Sequence, residues 1–275
     1  MKRVASRGKC KISVKRAPSA PYSRFFLKLL KIVPNLFTLG NLNLGFFSIL
    51  FSLSEPGDQD ALWISGFLIF LAMLFDGADG YAARLLNARS ELGAQLDSLA
   101  DLTTFGIAPG AIMYSLVLHD YNQLMEGSII PLGMLIAGIY PTCAAFRLAR
   151  FNVVHADDEF AGLPSPVAGV IVALLPFVYP DIIPVHSSVV ILVFLITAFL
   201  MVSTLRYSKP QVAFVRRFSR ERLAILLLVT IGVLVFLGLR YGPQYAAAGL
   251  LTIVLIYMVT GIVSLIFYTI QELRM

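Results

Sequence analysis

Four aspartates stand out in a chain otherwise poor in charge. Asp76 and Asp79 are three residues apart, and Asp97 and Asp101 are four apart. On helices, either spacing puts both carboxylates on one face. A carboxylate inside an apolar span costs roughly 2.5–3.5 kcal/mol on insertion scales, so its usual place is a polar cavity with a partner. Four carboxylates gathered in one cavity repel each other unless cations neutralise them. An all-oxygen donor set favours hard ions such as Mg²⁺, Mn²⁺ or Ca²⁺.

The elements that must position these acids are membrane helices. Of the 275 residues 58% are hydrophobic and 14% charged, with mean hydropathy +0.81. Soluble domains carry about 25% charged residues. The apolar residues fall into repeated stretches of bilayer-spanning length. The reading is an all-α, polytopic membrane helical bundle with about eight transmembrane helices, near 36–54, 61–86, 91–118, 128–150, 165–180, 187–205, 223–239 and 245–270. The fifth is the shortest, bounded by Pro164, Pro166 and Pro180. Before the first span, residues 22–33 alternate Phe25, Phe26, Leu29 and Leu30 with Arg24, Lys28 and Lys31, the pattern of an amphipathic helix lying in the interface.

Basic residues set the orientation. Of 22 Lys and Arg, ten lie between Lys2 and Lys31. Next to a span, such a tail meets anionic membrane lipids rather than nucleic acid. It lacks the apolar run and small-residue cleavage site of a signal peptide. The loops near 55–60, 119–127 and 181–186 carry acids and no Lys or Arg. The opposite side collects the tail, Arg84, Arg89, Arg147, Arg150, six basic residues from Arg206 to Arg222, and Arg274, leaving Arg240 as the exception. Eight spans with both termini in the cytoplasm account for this. The second and third spans are then antiparallel neighbours, and both acid pairs lie towards the cytoplasmic side. Cys10 and Cys143 imply neither a disulfide framework nor a zinc site.

Gly77, Gly80, Ala83 and Gly93 thin the helices where the acids lie, so that a backbone or a bulky polar ligand can approach. Helix packing is the other use of such residues in spans. Arg84 can pair with phosphate as the chain leaves the membrane.

The run Asp76-x2-Asp79-Gly80-x2-Ala83-Arg84-x8-Gly93-x3-Asp97-x3-Asp101 resembles the complete motif of the CDP-alcohol phosphatidyltransferase family. Further segments resemble its membrane-embedded phosphatidylserine synthase branch. These are Pro34-Asn35-Leu36-Phe37-Thr38, the continuation of Asp97-Ser98-Leu99-Ala100-Asp101 to Phe105-Gly106-Ile107-Ala108-Pro109, Arg147-Leu148-Ala149-Arg150-Phe151-Asn152, and Phe160-Ala161-Gly162-Leu163-Pro164-Ser165-Pro166. The likeness covers about residues 30–205. It divides the chain into a basic tail with interfacial helix (1–33), a catalytic core (34–205), and a basic loop with two further spans (206–275).

The resemblance implies CDP-diacylglycerol as donor, L-serine as acceptor, a homodimer, and an active site at the cytoplasmic side. It implies divalent metal, Mg²⁺ or Mn²⁺ with Ca²⁺ as a further candidate, and two ions to clamp the diphosphate. Asp76, Asp79 and Asp97 are expected to bind metal. Asp101 would share a metal and act as base towards the serine hydroxyl. Gly80, Ala83, Arg84 and Gly93 should border the CDP group, with Asn35 and Thr38 at the cytoplasmic mouth, where helix capping would equally explain them. Arg147, Arg150 and Asn152 are candidates for serine or phosphate binding, positive-inside anchoring being the other account of the arginines. Ser165 reads as a turn residue. His119, His155 and His186 receive no role.

Two rivals remain at this stage. One is the same transfer to another alcohol: glycerol-3-phosphate, inositol or inositol phosphate. The other is a cation transporter using the four aspartates as its ion site, although the Gly-x2-Ala-Arg element has no transport role. A catalytically silent scaffold fits the intact motif poorly.

Overall fold

The computed structural model describes residues 32–86, 90–125, 130–153, 162–179, 181–182, 186–203 and 220–272. The basic tail, the expected interfacial helix before Ile32, and the loop at 204–219 lie outside the described residues, as do Cys10 and His155.

Helix α1, Ile32–Ser54, starts four residues earlier than the apolar pattern suggests. Pro34 is tolerated there because it falls in the first turn, where a backbone N–H has no intrahelical acceptor. The buried face of α1 is Pro34, Thr38, Asn41, Gly45, Ser48 and Ser52, small or polar throughout. Leu36, Phe46, Leu50 and Phe51 point outward. Such an arrangement suits a helix whose outer solvent is lipid, because small residues let helix backbones approach.

A tight turn leads into α2, Gln59–Leu85. Gly57 adopts φ 86°, and Asp58 caps the helix by accepting from the Asp60 and Ala61 N–H groups. α1 and α2 pack antiparallel along their lengths. Ser48 Oγ donates to Ser65 O and Ser65 Oγ to Ser48 O, both at 3.0 Å.

The expected third span is three consecutive helical pieces: α3 (Glu91–Leu102), a π turn (Thr103–Ile107) and α4 (Ala108–Leu116). Pro109 explains the break. It has no N–H for the carbonyl one turn back, and its ring crowds that carbonyl. The helix widens just before it, and the Ala108 N–H bonds Thr103 O, five residues back. Gly110 lets this region lie against α5, Leu132–Val153: a Cβ there would come within 3.1 Å of Ala137 O.

Helix α6, Ser165–Val178, is the short fifth segment, and it is buried on nearly every side. Its uniformly apolar sequence has no polar face because neighbours surround it. α2, the π turn, α4, α7 (Ser187–Val202) and α9 (Pro243–Glu272) all pack on it. α8 (Arg220–Tyr241) pairs with α9 across Gly242, whose φ of 116° ends α8 before Pro243 begins the next helix.

The described residues thus form an all-helical bundle whose long apolar helices fit a membrane-embedded protein. Each of the eight expected segments contains helix. Four helices among the described residues are long and apolar enough to cross a bilayer: Ile32–Ser54, Gln59–Leu85, Leu132–Val153 and Pro243–Thr260. Ser165–Val178, Ser187–Val202 and Leu228–Tyr241 are apolar but shorter.

Candidate active site

The last turns of α2 and the first turns of α3 build the site. Leu86 closes α2 with its N–H on Ala82 O, and Ser90 opens α3 by accepting from the Gly93 N–H at 3.0 Å. This short link turns the chain back on itself and brings the two acidic faces together. Asp76, Asp97 and Asp101 each present a carboxylate oxygen, and the three oxygens lie within 4.8 Å of one another.

Asp79 stands beside this trio. It is 6% exposed and accepts a 2.8 Å hydrogen bond from Thr38 Oγ1 on α1. It remains within electrostatic reach of Asp76, Asp97 and Asp101. Among the described residues, Arg147 from α5 is the one that acts on Asp101 with opposite charge. Among the described residues, no Lys or Arg lies within 4.0 Å of these carboxylates. One guanidinium cannot balance four acids. The surplus negative charge, three converging oxygens and the hard donor set fit divalent cations.

A pocket of about 250 Å³ opens next to the acids. Asn35, Thr38, Gly80, Ala83 and Gly93 line it, together with Asp79, Asp97, Pro34, Ser90 and Ala94. Asp97 belongs to both pocket and trio, so the two adjoin. A Cβ on Gly80 would meet only Arg84 Nη1, at 3.9 Å, and one on Gly77 would meet nothing within 4 Å. These glycines leave room rather than seat a neighbouring helix. Gly93 differs: its Cβ would crowd Ser90 Oγ at 3.0 Å and Asn35 Oδ1 at 3.2 Å. Arg84 does not line the pocket; its guanidinium flanks it beside Gly80.

The remaining candidates part company. Arg147 Nη1 donates to Ser165 Oγ at 2.9 Å, and its Nε is buried without a hydrogen-bond partner. Ser165 is not a turn residue: it is the fully buried first residue of α6. Its place between two prolines hid this, because Pro166 suits the first turn of a helix as well as it suits a loop.

Arg150 turns away from the trio's partner Arg147 to the end of α7, where Nη1 donates to Val202 O at 3.0 Å and Nη2 to Ser203 O at 3.2 Å. Those carbonyls are beyond the reach of intrahelical donors. The Leu163 N–H takes Leu200 O at 3.0 Å in the same place. Gly162 makes this possible with φ 85°, passing too close to the carbonyls of Met201 and Ser203 for a side chain. Asn152 Nδ2 donates to Ser98 Oγ at 3.0 Å, tying α5 to α3 next to Asp97. His119 pairs with Asp120 at 3.2 Å and His186 caps α7, both apart from the acids.

Pro34, Ser90 and Ala94 line the pocket without a site role in the sequence reading, and for the latter two a signal was there. Their signal was a serine three residues before Gly93, a helix start that places the following turn beside α1.

Fold and site together define a membrane-embedded helical protein with an acidic centre beside a glycine-lined pocket. The model of the CDP-alcohol phosphatidyltransferase family matches residues 31–204, and the chain belongs to that family. Among its relatives is the CDP-diacylglycerol–serine O-phosphatidyltransferase of Bacillus subtilis, 37% identical over 152 residues, covering 55% of this chain and 78% of that protein. The protein of the same name from Methanocaldococcus jannaschii is 33% identical over 200 residues, covering 72% and 83% respectively. That from Helicobacter pylori strain J99 is 36% identical over 148 residues, covering 53% of this chain and only 57% of the relative.

Proposed function

We propose that this chain transfers a phosphatidyl group from CDP-diacylglycerol to L-serine, releasing phosphatidylserine and CMP. The observation that carries the reading is the carboxylate trio adjoining the pocket at their shared residue Asp97. The named activity of the relatives supports serine as the acceptor.

Asp76, Asp79, Asp97 and Asp101 hold divalent metal, Mg²⁺ or Mn²⁺, with Ca²⁺ compatible with the same donors. Metal held there would supply charge to neutralise the diphosphate and the attacking and leaving oxygens of an in-line displacement. Gly80, Ala83 and Gly93 admit the nucleotide because they carry little or no side chain. Asn35 and Thr38 border it from α1, and Arg84 supplies positive charge at its flank. Asp101 takes the proton of the serine hydroxyl, which must come within hydrogen-bond reach of its carboxylate. Arg147, held by Ser165 and facing Asp101, binds the serine carboxylate. Asn152 supports this wall through Ser98, while Arg150 fastens the end of α7. The eight segments cross the membrane with both termini and the site on the cytoplasmic side, where CDP and serine are soluble. The protein works as a homodimer.

The test is CMP release by the purified protein from CDP-diacylglycerol, supplied in turn with serine, glycerol-3-phosphate, inositol phosphate and inositol. Release with serine alone is expected. Release with another acceptor and none with serine overturns the assignment.

A further inference from the structure

Asn41 is fully buried in α1, and neither its Nδ2 nor its Oδ1 has a hydrogen-bond partner. That is a costly state for an amide, and buried amides ordinarily find partners. The packing of α1 shows where this one lies. Thr38 Oγ1 reaches Asp79 at 2.8 Å, and ten residues further along Ser48 and Ser65 exchange hydrogen bonds. Since α1 and α2 are antiparallel, three residues forward in α1 correspond to three residues back in α2. Asn41 therefore stands level with Asp76, as Thr38 stands level with Asp79.

A second contact brings α3 to the same level. Thr104, three residues beyond Asp101, donates to the Asn41 carbonyl at 3.0 Å, and a Cβ on Gly45 would overlap Thr104. By register Asn41 thus lies level with the carboxylate trio, in which Asp97 Oδ1 and Asp101 Oδ1 are likewise buried without partners. The chemistry is complementary: ionised carboxylates only accept hydrogen bonds, and the Asn41 amide group offers two N–H donors.

We propose that Asn41 is a positioning residue for Asp76. Its Nδ2 donates to the Asp76 carboxylate when cation is bound, as Thr38 donates to Asp79, so α1 orients both acids of α2 through two residues one turn apart. The inference rests on the reading of Asp76 as a metal ligand. It adds to that reading a donor from a helix that carries no acid of the cluster. Loss of such a hydrogen bond to a metal ligand typically weakens metal affinity about tenfold to a hundredfold.

The experiment uses the full chain in detergent and the variant Asn41→Leu, which keeps the branched shape and the number of heavy atoms and removes both polar atoms. Asn41→Ala serves as the second variant if leucine does not fold. Mn²⁺ alone is titrated, following the metal-induced rise in unfolding temperature, and the Mn²⁺ dependence of CMP release is measured separately. The half-saturating Mn²⁺ concentration should rise about tenfold to a hundredfold in both assays. Without metal, Asn41→Leu should unfold no lower than the parent protein, because it removes a buried unsatisfied amide. An unchanged Mn²⁺ titration overturns the proposal, whether or not metal-free stability falls. If Mn²⁺ fails to stabilise even the parent protein, the metal reading itself fails. A parent that responds to Mn²⁺ and a variant that titrates identically refute the role of Asn41 alone.

Discussion

Replacing Gly80 with alanine should make the protein more stable and less active, and the two effects have separate physical origins. Gly80 lies inside α2, five residues before its end. Alanine in a helix interior is favoured over glycine by about 0.8–1 kcal/mol. The added Cβ would meet only Arg84 Nη1, at 3.9 Å, an ordinary contact with the far end of a flexible side chain. Nothing offsets the propensity gain, and for a chain of this size it corresponds to a rise of about 2–4 °C in unfolding temperature. The methyl group enters the 250 Å³ pocket. A nucleotide resting on the Gly80 backbone would be pushed away by about 1 Å, and a misplacement of that size can cost about a hundredfold in rate. Thermal unfolding in detergent, alongside CMP release with serine, reads both effects. Gly45 is the contrast: its Cβ would lie 2.8 Å from Thr104 Cα, so Gly45→Ala should lower stability. If Gly80→Ala keeps kcat/KM within about twofold of the parent while its unfolding temperature rises, the nucleotide does not occupy this pocket. If the unfolding temperature falls, Gly80 is a packing residue and the reasoning from open space is wrong.

Asp101→Asn should abolish turnover while leaving CDP-lipid binding measurable, because Asp101 lies in the trio but does not line the pocket; residual activity close to the parent would remove it as the base. Arg147→Lys should raise the KM for serine by tenfold or more, because a lysine cannot hold Ser165 and a carboxylate in the fixed planar fork of a guanidinium; serine kinetics at saturating donor check this. Arg150→Leu should instead lower stability by roughly 1–3 kcal/mol with the KM for serine nearly unchanged, since it releases the carbonyls of Val202 and Ser203. Thermal unfolding and serine kinetics on this pair of variants separate the two arginines.

Much of the molecule was open to reading from residue order alone. Long apolar stretches can satisfy their backbone in lipid only as helix or closed barrel, so hydropathy located the helical segments, with ends shifted by up to four residues and without the break in the third. Spacings of three and four residues placed Asp76 with Asp79 and Asp97 with Asp101 on common faces. The brief link between them required the two helices to be neighbours. A small residue at Gly80 had two uses, packing or ligand access, and only the surrounding space distinguishes them.

What depended on the tertiary structure is which polar atoms meet across helices that are distant in sequence. The grouping of Asp76, Asp97 and Asp101 follows from the rotation of α2 against α3, and the Thr38 bond to Asp79 from that of α1 against α2. The place of Asn41 also depends on it, since in the sequence Asn41 is one of several polar residues in an apolar span. Arg147 and Arg150 look equivalent at three-residue spacing, yet one faces an acid and the other caps α7. Ser165 looks like a hinge between prolines and is a buried helix start. Local spacing determines the face of a helix on which a residue lies. The partner on that face is set by helix rotation and register, which arise from side-chain packing along the whole interface.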